Sequence, residues 1–92
     1  MNKVIVEHKV KDFNSWKKVF DNSTDMITDH GGRNFSVNRN HDSPNDVYIV
    51  ADFDKKENFD SMWQSTELKN ALKDSGVISE PKVTILDEKS RG

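Results

Sequence analysis

Asp46-Val47-Tyr48-Ile49-Val50-Ala51-Asp52-Phe53 decides the fold of this chain, because it reads as a β-strand that is apolar on both faces. Antiparallel strands of small domains usually alternate apolar-in with polar-out, so a two-sided apolar strand requires a cover on each face. Helices can supply one cover. A second copy of the chain can supply the other.

Working outward, His41-Asp42-Ser43-Pro44-Asn45-Asp46 concentrates turn formers just ahead of this strand. Before the turn, Phe35, Val37 and Arg39 alternate with Ser36, Asn38 and Asn40, which makes the two segments a hairpin. At the start of the chain Val4, Val6 and Val10 alternate with Lys3, Glu7 and Lys9 as a first strand, with His8 on the valine face. Asp12 stands where an N-cap belongs. Phe13, Trp16, Val19, Phe20, Met26 and Ile27 then follow at helical spacing, and Gly31-Gly32 should end that helix with a left-handed turn.

Downstream of the central strand, Asp54 with Glu57 three residues later resembles a capping box, and Phe59, Met62 and Trp63 mark one helical face. Ser65 is placed to restart the helix after a kink. Leu68, Ala71 and Leu72 continue the apolar stripe until Gly76 closes it. Residues 77–81 connect to a fourth strand carrying Val83, Ile85 and Leu86, and 88–92 form a polar tail.

The order strand, helix, strand, strand, helix, strand, with no linker or repeat, predicts one α+β domain over residues 1–92. It is a ferredoxin-like split βαβ sandwich (βαββαβ) with a four-stranded antiparallel sheet and both helices on one face. Val47, Ile49, Ala51 and Phe53 then pack under the helices. Tyr48 and Val50 face outward, with Ile5 and Leu86 as neighbours, and this outer face predicts a homodimer.

Composition narrows the function. In 92 residues the apolar and charged shares are both 33%, so a monomer holds one modest core and gains from burial in an oligomer. A net charge of −2 with interspersed signs offers no basic stripe for nucleic acid. No apolar run is long enough to cross a bilayer, and the first residues turn charged too soon for a signal peptide, so a soluble, cytoplasmic location is expected. The absence of Cys closes disulfide, zinc-thiolate and thiol-nucleophile chemistry.

Val6-Glu7-His8-Lys9-Val10-Lys11-Asp12-Phe13-Asn14-Ser15-Trp16-Lys17, then Asp42-Ser43-Pro44-Asn45-Asp46-Val47 and Ser65-Thr66-Glu67-Leu68, resemble the antibiotic biosynthesis monooxygenase-like, dimeric α+β barrel superfamily. The resemblance covers nearly the whole chain. It implies a dimer made by packing two sheets and a pocket in each protomer between sheet and helices. Among members with that architecture are cofactor-independent oxygenases acting on aromatic polyketides or quinols, and haem-degrading enzymes. The haem-degrading members have an Asn on the first strand, a Trp at the end of the third and a His on the second helix. Phe53 stands near the place of that Trp here, and residues 55–75 contain no His, so the resemblance implies that haem degradation is not this chain's activity.

Single residues carry two readings each. His8 is either a proton shuttle or ligand contact, or a core histidine hydrogen-bonded to a neighbour. Phe53, Phe59 and Trp63 form either the aromatic wall of a pocket for a flat apolar ligand or ordinary core. Arg39 either holds an anionic ligand or ion-pairs with Asp52 across the hairpin. His8, His30 and His41 lack metal-ligand spacing, so neither a metal nor another cofactor is expected. Gly31-Gly32 follows a helix and lacks the residues of a phosphate loop.

Two functions remain. One is a dimeric module binding a small apolar or aromatic molecule between sheet and helices. The other is a cofactor-independent monooxygenase acting on an aromatic or quinone-like substrate, with His8 as base or orienting donor and the aromatic residues excluding water.

Overall fold

A computed structural model describes residues 1–91. Its elements are β1 (Asn2–Lys9), α1 (Phe13–Asn22), α2 (Thr24–Asp29), β2 (Gly32–Arg39), β3 (Asp46–Phe53), α3 (Lys56–Trp63), α4 (Thr66–Asp74) and β4 (Lys82–Asp87). All strand pairs are antiparallel, in the order β2-β3-β1-β4, with the helices packed on one face. This is the ferredoxin-like arrangement that the element order predicts.

The two-sided strand lies in the middle of that sheet, and its parity is as read. Val47, Ala51 and Phe53 are buried under the helices, and Ile49 is half-buried beside them. Ala51 and Phe53, with Ile49 against them, pack with Val4, Val6, Met26, Ile27, Phe59 and Met62 in the main core, while Val47 joins Val10 and Trp16 in a smaller cluster at the other end. On the outer face Ile5 pairs with Val50, Glu7 with Tyr48 and Lys3 with Leu86. Ile5, Tyr48 and Val50 are half-buried there, and Leu86 is exposed.

Both predicted helices are divided. The first breaks at Ser23, whose hydroxyl donates back to the Val19 carbonyl (2.8 Å) while its N–H bonds to Phe20 O (2.9 Å), so the α-helical ladder ends one turn early. Asp12 caps α1 through Ser15 N (2.9 Å), and Gly31 takes the left-handed turn at φ 85°. The second helix restarts at Ser65, whose hydroxyl accepts from Leu68 N (3.2 Å), and Gly76 closes it at φ 79°.

The expected capping box does not form. The N-cap of α3 is Lys55, which contributes no side-chain bond, because Asp54 turns away to pair with Arg33. Asn2 substitutes from the neighbouring strand: its amide oxygen accepts from Lys56 N (2.9 Å) and its NH₂ donates to Asp87 Oδ1 (3.0 Å).

The described part of the polar tail, residues 88–91, makes specific contacts with the sheet, and residue 92 lies outside the described residues. Arg91 reaches back over the outer face to Asp52 (2.9 Å), which also accepts from Lys3 (3.1 Å) and from Asn34 (3.3 Å) at a β2 bulge. Asn34 adopts φ 52°, a left-handed conformation that Asn tolerates better than most residues. Burial alone would raise the Asp52 carboxyl, but the hydrogen bonds from Arg91, Lys3 and Asn34 outweigh it and hold the group below its ordinary value.

Candidate functional site

The site follows from β1. Alternation puts Val4, Val6 and His8 on the helix side of the sheet, so an imidazole is delivered among valines. His8 is 4% exposed, and neither ring nitrogen has a hydrogen-bond partner. Its β3 partner is Val47, and its ring meets Trp16 in a T-shaped contact at 5.6 Å. Burial pushes the imidazole below its ordinary value, which favours the neutral form.

Beside His8 a cavity of about 80 Å³ runs between the sheet and the helices. Among the described residues its walls are Val, Ile, Leu, Met, Ala and Phe side chains, with polar atoms from His8, Ser23, Ser75 and the indoles of Trp16 and Trp63. Both hydroxyls are engaged, Ser23 with Val19 O (2.8 Å) and Ser75 with Leu72 O (3.0 Å). Among the described residues no Asp, Glu, Lys or Arg side chain lines it.

Phe53, Phe59 and Trp63 line the same cavity as a contiguous set. Phe53 meets Phe59 in a T at 5.5 Å, and Phe59 stacks on Trp63 at 5.6 Å. Phe53 lies six residues along β3 from Val47, the register partner of His8. At about 3.3 Å per residue the backbones of His8 and Phe53 therefore stand roughly 20 Å apart along the sheet.

Arg39 is elsewhere. It donates to Pro44 O (2.9 Å), and its guanidinium lies 4.1 Å over the Phe13 ring. The expected ion pair with Asp52 is absent, because Arg39 opposes Val47 on the helix side of the sheet whereas Asp52 points to the outer face. Among the described residues no three His, Asp or Glu side chains gather as a metal site.

Sequence reading missed the share of Trp16, Phe20 and Ser75 in the lining. Trp16 and Phe20 carry the periodicity of core residues, and a cavity wall has the same periodicity. Nothing in the sequence distinguishes the two. Ser75 was legible only as part of a helix end.

No protein-family profile matches the chain, and no curated protein matches its sequence. Solved structures do match its fold. A candidate antibiotic biosynthesis monooxygenase of Bordetella bronchiseptica superposes with a TM-score of 0.81 at 14% identity, over 97% of each chain. SnoaB, a cofactor-independent oxygenase from Streptomyces nogalater, gives 0.79 at 10% identity over 98% of this chain and 94% of its own. A conserved protein from Methanosarcina mazei gives 0.67 at 13% identity over 96% and 92%. The chain has the fold of the antibiotic biosynthesis monooxygenase-like proteins, and at these identities the likeness concerns the fold alone.

Proposed function

We propose that this protein is a cytoplasmic homodimer that binds a small apolar or aromatic molecule in the cavity between sheet and helices. The observation that carries the reading is the cavity itself: an apolar lining with one buried, unpartnered imidazole in its wall. At about 80 Å³ the cavity is smaller than the roughly 150 Å³ that holds benzene in an engineered core. A ligand of aromatic size therefore widens it. The yielding wall is α4, which has no fully buried residue and presents half-buried Leu68, Ala71 and Leu72 to the cavity.

The second copy covers the outer face through Ile5, Tyr48, Val50 and Leu86. At about 25 cal/mol per Å², burying these side chains stabilises the assembly by several kcal/mol. A second reading, a cofactor-independent monooxygenase, is favoured by the placement of His8. A neutral imidazole in a water-poor cavity can take a proton from a bound substrate that dioxygen then oxidises.

Mass spectrometry of molecules released from the natively purified dimer tests the ligand reading. A small apolar compound bound in proportion to protein supports it, and none detected at any ratio overturns it. Oxygen consumption with the recovered compound tests the second reading: turnover by wild type, lost in His8→Ala, supports it, and no uptake by wild type removes it.

A further inference from the structure

The unpaired imidazole says more about the ligand than the apolar walls do. An unsatisfied buried polar group is costly, and both ring nitrogens of His8 are buried without a hydrogen-bond partner. Its flanking residues on the same face are Val6 and Val10, and its partner across the sheet is Val47. Among the other described residues of the lining, the hydroxyls of Ser23 and Ser75 already donate to carbonyls of their own helices, the indoles of Trp16 and Trp63 offer N–H donors only, and none of these groups bonds to the His8 ring. The contact to Trp16 is T-shaped and leaves both nitrogens without a conventional acceptor or donor.

A neutral imidazole offers one N–H and one lone pair. A hydroxyl group can both donate and accept, so it can meet either nitrogen whichever tautomer is present. A carboxylate or phosphate would be buried with no Lys or Arg in the lining, and an ammonium with no Asp or Glu, so ions are rejected by desolvation.

We infer that His8 is the single polar anchor of the cavity, and that the ligand is an uncharged, otherwise hydrocarbon molecule whose one hydroxyl hydrogen-bonds to the His8 ring. This inference rests on the ligand-binding reading above and adds the chemical class. His8 thereby selects among apolar compounds of equal size, a discrimination that the hydrophobic walls cannot make, because a compound lacking the hydroxyl leaves the imidazole unpaired.

Three matched probes test it by calorimetric titration of the dimer: p-cresol, p-xylene and p-toluate. Wild type is expected to bind p-cresol about tenfold more tightly than p-xylene and to bind p-toluate not at all. His8→Leu should keep p-xylene binding and lose the preference for p-cresol, and His8→Gln, which retains a donor and an acceptor, should recover part of it. Equal affinity of wild type for p-cresol and p-xylene, or a preference that survives in His8→Leu, overturns the anchor while leaving the cavity reading intact. Binding of neither neutral probe at millimolar concentration overturns both. Should His8→Leu not fold, the ¹⁵N resonances of the wild-type His8 ring decide: they must move with p-cresol and not with p-xylene, and any other pattern rejects the anchor.

Discussion

The rings of His8 and Trp16 meet in a T at 5.6 Å, which ties the only buried imidazole to an indole on the first helix. Protonating that imidazole would place an unpaired cation between valines and an indole. His8 also borders a second, open polar groove on its other side, lined by Glu7, Lys9, Asp46, Glu80 and Lys82 with Tyr48 and Ser79, none of which hydrogen-bonds to the ring.

Folded His8 binds its proton less readily than the unfolded chain, whose value is the ordinary 6.5. The unfolded state therefore carries more protons below that pH. Stability from this group is full above pH 6.5 and falls as the pH drops through 6.5 toward the lowered folded value. Urea titrations between pH 7.5 and 5 should show this decline, accompanied by a change in tryptophan emission. His8→Phe should flatten that part of the profile; an unchanged slope would show that other groups set it.

The outer face should lose its partner when it is charged. Val50 opposes Ile5 at the centre of that face, so Val50→Asp puts a carboxylate where the second sheet packs. Sedimentation velocity at micromolar concentration is expected to show a dimer for wild type and a monomer for Val50→Asp. A wild-type monomer would reject the assembly.

Gly32 is required for close approach rather than for a left-handed backbone. A Cβ there would lie 2.6 Å from Ile27 Cγ2 and 2.8 Å from Phe53 Cζ, with Ile27 O at 2.9 Å. Two of these atoms belong to packed side chains and one to backbone, so none can withdraw cheaply. Gly32→Ala should cost about 1–3 kcal/mol in denaturant unfolding. Gly76→Ala serves as a contrast, since its added methyl meets only Lys11 Cβ at 3.9 Å and its cost comes from φ 79°.

Strand and helix periodicity made the fold legible because each apolar position in residues 4–10, 13–27 and 47–53 answers to one layer interface. The breaks were less legible. Ser23 divides the first helix through a bond to Val19, and Asn2 replaces Asp54 as the donor's partner at Lys56, a contact 54 residues apart in sequence that no local pattern encodes. At the site, alternation placed His8 inward but could not tell a satisfied histidine from an unpaired one, since that depends on what Trp16, Ser23 and Ser75 do. Arg39 and Asp52 are both on the hairpin, yet they lie on opposite faces of the sheet, which is why charge complementarity alone misassigned them.

Arg91→Ala should raise the Asp52 titration midpoint, because it removes one of the three hydrogen-bond donors that outweigh burial. The folded carboxyl titrates below the ordinary 3.8, so the stability it confers is present above that value and is lost as the pH falls below it through the folded value. Carboxyl ¹³C NMR over pH 2 to 6 reads the midpoint directly. No upward movement in the variant would mean that Lys3 and Asn34 suffice.

Asp52 is 2% exposed, yet it stands between Ala51 and Phe53, two residues of the core. Side chains alternate along a strand, so pairing β3 one residue out of place would swing this carboxylate among Phe59, Met62 and Ile27 and carry Phe53 into water. Its three partners, Lys3, Asn34 and Arg91, come from β1, β2 and the chain's end, and they can converge only when every strand is correctly aligned. The buried ion therefore acts as a proofreading mark on the sheet: besides the stability it confers in the native register, it makes each neighbouring misalignment expensive.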